Sequence, residues 1–162
     1  MNEAFAAELE GVQWFAAVGE PLPTDLPFDP LPVASWAEGI EHFADPTWEN
    51  VQIRARNELS VFLSALHRPR FQRWNEITRE AKARVVGPLA AAVWRPFADR
   101  YGIGPGFVDG IKWDVHAAIM EHEYRDCPGR PAFFLDLLRV YRAGHVPCGW
   151  YEEWPVGRLV VW

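Results

Sequence analysis

A chain of 162 residues with 49% hydrophobic and 14% aromatic content, including 9 tryptophans, is not a disordered polypeptide. Its 2 cysteines exclude a disulfide scaffold, and no apolar run approaches the roughly 18 residues of a membrane-spanning helix. The formal net charge of −6 is unevenly spread: residues 1–50 hold ten carboxylates and no Lys or Arg, residues 51–101 carry a net +6, and residues 102–162 a net −2.

These features predict one soluble, cytosolic domain spanning residues 1–162, since a chain of this length buries about 70% of its unfolded surface without needing a staple. The leading segment carries Glu3, Glu8 and Glu10 and no cation, the wrong charge for a secretory signal. A first helix is predicted from Asn2 to about Val18, with Phe5, Leu9, Val12 and Phe15 or Ala16 on one side and Gly19 past its end. Between Glu20 and Pro32 five prolines remove backbone donors and favour an extended arm, whose Leu22, Leu26, Phe28 and Leu31 should drape over the helices. Ser35 is a good N-cap for a short helix through Trp36, Ile40 and Phe43.

Asp45 and Pro46 form a cap and first-turn pair for the next helix, where Trp48, Val51, Ala55, Leu59, Phe62 and Leu66 give the cleanest periodicity in the chain. Pro69 ends it and starts another, with Phe71, Trp74, Ile77, Ala81 and Val85 as its core side, and the short connection predicts a helical hairpin. Gly87 and Pro88 should interrupt the following segment, and Pro96 should kink its continuation. The run Gly102–Gly106 reads as a glycine-rich turn, because it follows a helix where a dinucleotide fingerprint follows a strand, and it lacks the Lys of a phosphate loop.

From Gly106 to Asp126 apolar residues line two helical faces, one through Val108, Ile111, Val115, Ala118 and His122, the other through Trp113, Ala117, Met120 and Tyr124. So wide an apolar arc belongs in the middle of a helical bundle. Its polar strip holds Asp109, Lys112, His116 and Glu123. Pro131 then opens a helix with Phe134, Leu137 or Leu138 and Tyr141 inward, and Gly144 stops it. The tail from His145 to Trp162 reads as two extended pieces that must bury Trp150, Trp154 or Trp162. The predicted fold is mainly α, a single-domain helical bundle of six or seven helices with a small C-terminal β-ribbon.

Chemistry has few footholds. Only Ser35, Ser60 and Ser64 are serines, and none has a nucleophile-elbow context. A tetrahedral zinc site is conceivable from His122, Cys127, His145 and Cys148, two imidazoles and two thiols, with two residues separating the second pair. The competing reading makes His122 a core histidine and the cysteines small hydrophobes, so no cofactor is expected. In the central helix Asp114 with Glu121 and His116 with Glu123 share faces at a spacing of seven, which suits proton transfer in a pocket or solvated charges on a helix rim. Basic residues from Arg54 to Arg84, with Phe71 and Trp74 among them, offer a nucleic-acid reading, which the overall negative charge opposes.

The run Gly144-His145-Val146-Pro147-Cys148-Gly149-Trp150 and the closing Trp154-Pro155-Val156-Gly157-Arg158-Leu159-Val160-Val161-Trp162 resemble the end of a group of small bacterial cytosolic proteins. Some of that group resemble immunity proteins, which neutralise toxins exchanged between competing bacteria; the resemblance implies a binder without turnover. On the residues themselves, an acidic leading segment fits electrostatic steering to a basic protein, with Glu20, Asp25, Asp29, Glu38, Glu41, Asp45 and Glu49 as its contact set. Equally, that segment could lie against the basic residues 51–101 and be neutralised there. The favoured expectation is a protein-binding module, an immunity-type inhibitor of a possibly basic toxin and not an enzyme. The alternative is a small enzyme, ligand-binding or metal-binding protein using residues 106–126 and the His/Cys set.

Overall fold

A computed structural model describes residues 1–14, 16, 19–43, 46–103, 115–151 and 157–162, with backbone alone at 40–43 and 46–49. The protein is mainly helical with a small sheet: α1 (Glu3–Glu10), β1 (Asp29–Pro32), α2 (Trp36–Phe43), α3 (Pro46–Ala65), α4 (Arg68–Ala81), α5 (Arg95–Tyr101), α6 (residues 115–123), α7 (Ala132–Arg142), β2 (Pro147–Tyr151) and β3 (Arg158–Val161). The chain forms two compact units, the first from Met1–Val12 with Leu59–Leu138, the second from Gln13–Glu58 with Arg139–Trp162.

In the first unit α6 carries out what its double apolar face demands. Val115, Ala117, Ala118, Ile119 and Met120, which together point all round the helix, are fully buried. Each large apolar side chain so enclosed contributes about 1.5–3 kcal/mol relative to exposure. Residues 104–114, the first half of the expected central helix together with Asp109, Lys112 and Asp114, lie outside the described residues. The clean stripe of α3 is buried at Leu59 and Phe62 in this unit and at Val51 and Ala55 in the second, and that of α4 at Trp74, Ile77 and Ala81. Phe71 departs from the expected stripe and is 41% exposed. At about 100° per residue it stands about 120° round the helix from Ile77, at the margin of the buried arc.

Gly87 and Pro88 do not interrupt the chain. From α4 the helix continues through a π-helical turn at Lys82–Val86, a short α segment Gly87–Leu89 and a second π turn at Ala90–Trp94 into α5. Just before each proline the ladder widens to i→i+5, Gly87 N–H donating to Lys82 O and Arg95 N–H to Ala90 O. The wider turns accommodate Pro88 and Pro96, which lack a donor and would crowd an α ladder, so neither breaks the helix. Gly102 closes α5 in the left-handed region at φ 66°, with Ile103 N–H returning to Ala98 O at 2.8 Å.

Helix α1 is half the expected length. Asn2 Oδ1 accepts from Phe5 N–H at 2.7 Å to start it, as an N-cap should, and Gly11 ends it. It packs on the Lys82–Val86 turn, burying Phe5, Ala6 and Leu9. Glu3 pairs with Arg84 at 2.8 Å, and Glu8 with His122 at 2.7 Å. Trp14, beyond the glycine, belongs to the second unit and meets Tyr141 with ring centroids 5.2 Å apart.

The second unit holds a three-stranded sheet, order β1-β3-β2, where two strands were expected. The added strand comes from the proline-rich arm: Asp29–Pro32 runs parallel to Arg158–Val161, and β2 pairs antiparallel to β3. Val33 N–H donates to Val161 O at 2.8 Å, so the alternate residues Pro30 and Pro32 turn their backbone away from β3. Proline is tolerated there because no ladder donor is required. Trp150 is buried, with Phe28 edge-on at 5.8 Å, and Trp36 meets Trp162 at 6.2 Å; Trp154 lies outside the described residues.

Between Pro147 and Gly149 the β2–β3 register shifts, leaving Cys148 as the extra residue of a bulge. Helix α2 lies on β2, and Gly39 makes the contact possible: a Cβ there would stand 2.8 Å from Cys148 Sγ. Alanine at an ordinary helical position gains about 1 kcal/mol over glycine, whereas overpacking costs about 1–3 kcal/mol. Because Cys148 Cβ would be as close as the sulfur, at 2.9 Å, Gly39→Ala is expected to destabilise the protein by about 1–2 kcal/mol in urea unfolding, to keep much of that penalty in a Cys148→Ala background, and to lose most of it in a Cys148→Gly background. A penalty unchanged by Cys148→Gly would show that this side chain is not the obstacle.

Candidate functional site

The residues proposed from sequence as an acidic contact face are largely engaged inside the second unit. Asp25 pairs with Arg139, whose hydrogen bond holds the carboxyl below the usual carboxylate range, and Asp29 pairs with Arg158 at 2.8 Å. Glu38 closes a capping arrangement: Ser35 Oγ accepts from Glu38 N–H at 3.2 Å, and Glu38 Oε2 accepts from Ala34 N–H at 2.9 Å. Glu20 is exposed, its carbonyl 2.8 Å from His145 Nε2. Asp45 and the side chains of Glu41 and Glu49 lie outside the described residues. Three of the four described members thus have internal partners.

The four residues considered for zinc likewise have other partners. His122 is held by Glu8 and lies against Phe5 at 4.3 Å, so its ring has partners, although it is half-buried and not enclosed as a core histidine. His145 bonds the Glu20 carbonyl, and Cys148 Sγ donates to Val146 O at 3.3 Å while burial pushes its thiol up to about 12. Cys127 lies against Arg70. Among the described residues no three His, Cys, Asp or Glu side chains come together as metal ligands.

What the first unit does assemble is a corner between the start of α4 and the turn that follows α6. Tyr124, two residues before Asp126, is buried between Phe62 (6.4 Å) and Trp74 (5.5 Å), and its hydroxyl donates to Arg70 O at 2.9 Å. Burial pushes that hydroxyl up to about 12, so it stays a donor at neutral pH. With the backbone of α4 fixed at this point, the Arg70 guanidinium grips Asp126 through two nitrogens, at 3.2 and 2.7 Å, and also reaches Cys127 Sγ. This fork holds the Asp126 carboxyl below its ordinary range.

The corner frames an open groove of about 360 Å³. Phe62, Ala65, Leu66 and Pro128 provide apolar walls; His67, Arg70, Asp126 and Cys127 provide a polar lip. Two exposed hydrophobic residues lie on the helices that frame it: Val61, 68% exposed, stands four residues before Ala65 on α3, and Phe71 follows Arg70 on α4. The sequence marks Cys127 as a metal ligand and Arg70 as one of the basic residues of a nucleic-acid face, but does not bring the two together. Arg70 and Asp126 are 56 residues apart, beyond any local pattern, and the only local signal was Phe71 lying at the edge of its stripe.

A larger open concavity in the second unit, about 610 Å³, is lined by the arm itself, including Leu22, Leu26, Phe28 and four prolines. It brings no pair of acid and base groups together. On α6, His116 does not lie on an open polar strip: it sits edge-on to Trp74 at 5.9 Å. Burial, helped by the charge of Lys82, lowers its pKa to about 4.

No protein-family model matches this chain, and neither a characterised protein nor a solved structure matches it.

The histidine has a measurable consequence. Its folded pKa lies below the ordinary 6.5, so the unfolded chain takes up the proton first, and the stability this group contributes is complete above about pH 6.5 and lost as pH falls towards 4. Urea titrations should show stability declining across that window by up to about 1.4 kcal/mol per pH unit. His116→Gln should flatten the decline between pH 6.5 and 4.5; an unchanged slope in the variant would assign it to other groups.

Proposed function

We propose that this protein acts by binding another protein without turnover, in the manner of the immunity-type proteins its tail resembles, and that the groove beside Tyr124 is its contact surface. The observation carrying this reading is the exposure of Val61 and Phe71 on the two helices that frame the groove. They are two of four large exposed hydrophobic residues among the described residues, and isolated exposure of this kind becomes informative when it adjoins a concave apolar surface. The two sides of the groove are also joined, by the buried Tyr124 bonded to the Arg70 carbonyl and by the exposed Arg70–Asp126 pair beside it. A preorganised surface loses less entropy when a partner docks. The acidic leading segment supports such a role less than its net charge implies, since Asp25, Asp29 and Glu38 already have partners. Among the described residues no helix is long and apolar enough to cross a membrane, which fits a partner met in solution.

A comparison of retained proteins tests the reading. The tagged chain and a Val61→Glu, Phe71→Glu double variant, matched for helicity and melting temperature, are immobilised and exposed to extract of the cells that express the protein. A partner identified by mass spectrometry on the parent should bind the variant at least about 10-fold more weakly. If that partner is a toxin, co-expression of the parent but not the variant should restore growth. A partner held equally by both forms removes the groove from this role, and turnover of a small molecule by the purified chain removes the binder reading itself.

A further inference from the structure

The groove's electrostatic surroundings specify more than a generic protein contact. The first turn of α4 contains no acidic residue, and Arg68, Arg70 and Arg73 all precede its first carboxylate, Glu76. Cations at a helix N-terminus oppose the helix dipole, so this end of α4 concentrates positive potential that the helix itself does nothing to offset. His67 precedes the helix without capping it through its side chain. Two of the local arginines are neutralised nearby, Arg70 by Asp126 and Arg73 by Glu76 at 3.6 Å. Arg68, between the groove residues His67 and Arg70, is exposed and has no carboxylate partner among the described residues. The same holds for Arg125, next to Asp126, whose Nε donates only to the Glu121 carbonyl. On the far side Glu121 and Glu123 precede Arg125, so the positive surplus is centred on the head of α4, and the apolar walls beside it form a surface complementary to one kind of ligand.

Resting on the binding role above, we propose that the groove takes an acidic protein segment that inserts an aromatic or branched aliphatic side chain between Phe62, Leu66 and Pro128 while its flanking carboxylates meet Arg68 and Arg125. The acidic class follows from charge complementarity, and a peptide in preference to a nucleic acid follows from the burial of Phe62 and Trp74, which leaves their rings unavailable for stacking bases, and from the net charge of −6. This is the opposite charge to the basic partner that the leading segment implied. The whole molecule is negative, so attraction to such a segment is local: it acts at the mouth of the groove, within about 10 Å at ordinary salt. Affinity then depends on the apolar anchor, and selectivity on the two arginines.

The test uses the full chain and four labelled probes: the peptide acetyl-EEDFLDE-amide, its charge-reversed counterpart acetyl-KKRFLKK-amide, the anchorless acetyl-EEDGSDE-amide, and a single-stranded DNA of twelve nucleotides. The acidic anchored peptide should bind in 50 mM salt at least about 10-fold more tightly than each of the other three, and weaken several-fold in 500 mM salt. Arg68→Glu with Arg125→Glu should lower its affinity about 10-fold at low salt and less than about 2-fold at high salt; lysine at both positions should restore it. Equal or tighter binding of the basic peptide or the DNA overturns the proposal, as does absence of binding by the acidic peptide at millimolar concentration. The two readings also separate with the partner recovered above. Should its binding be lost in the Val61/Phe71 variant yet be indifferent to both arginines and to salt, the groove stands and the acidic partner falls; indifference to Val61 and Phe71 as well removes both.

Discussion

Enclosing a helix that is apolar on every side is the constraint from which the first unit follows. Along residues 115–120 α6 has no face for solvent apart from the His116 edge, where Trp74 stands over the imidazole, and only its last turn, 121–123, is partly exposed. Such a helix must end somewhere, and its end brings unsatisfied backbone and polar side chains to the boundary of the core. Tyr124 manages that transition: its ring stays inside between Phe62 and Trp74, while its hydroxyl satisfies the Arg70 carbonyl on α4. The turn that follows can then present Asp126 and Cys127 to the arginine side chain. The groove is thus a by-product of closing the core, with its two sides joined for that reason.

The helices were legible wherever a single face repeated over several turns. Val51, Ala55, Leu59 and Phe62 on α3, Trp74, Ile77 and Ala81 on α4, and Leu137, Leu138 and Tyr141 on α7 are buried as their spacing requires. Local signals also succeeded at Ser35, Gly144 and the start of α4 near Pro69, where one residue's chemistry fixes a boundary. Reading failed where the outcome depends on distant partners. Leu31 and the prolines around it look like an arm because nothing local announces β3, more than a hundred residues later, as the strand they join. Likewise Pro88 implies an interruption and Pro96 a kink only if the ladder stays α-helical, and the wider turn before each is not announced by the sequence. The candidate site is hidden for the same reason as β1: the residues forming it come from two stretches some 56 residues apart, and the roles the sequence suggests for Arg70 and Cys127 do not connect them.

Charge shows how sequence totals mislead. A segment with ten carboxylates and no cation reads as a field directed at a partner, yet Glu3 and Glu8 are paired within the first unit and Asp25 and Asp29 within the second. Exposed pairs of this sort contribute little to stability, and their larger effect is to shorten the reach of the potential. What remains unpaired decides recognition, and at the head of α4 the remainder is positive although the whole molecule is negative.

The arm's prolines matter beyond the fold of their own strand. With Pro30 and Pro32 turned outward from β3, a foreign strand approaching that side would meet carbonyl oxygens with no amide hydrogens between them, and could not zip on as a fourth member. The arm therefore both completes the sheet and terminates it on that flank. A tail rich in valine and tryptophan, the sort of sequence that readily stacks into fibrils, is by this means kept from templating its own aggregation there.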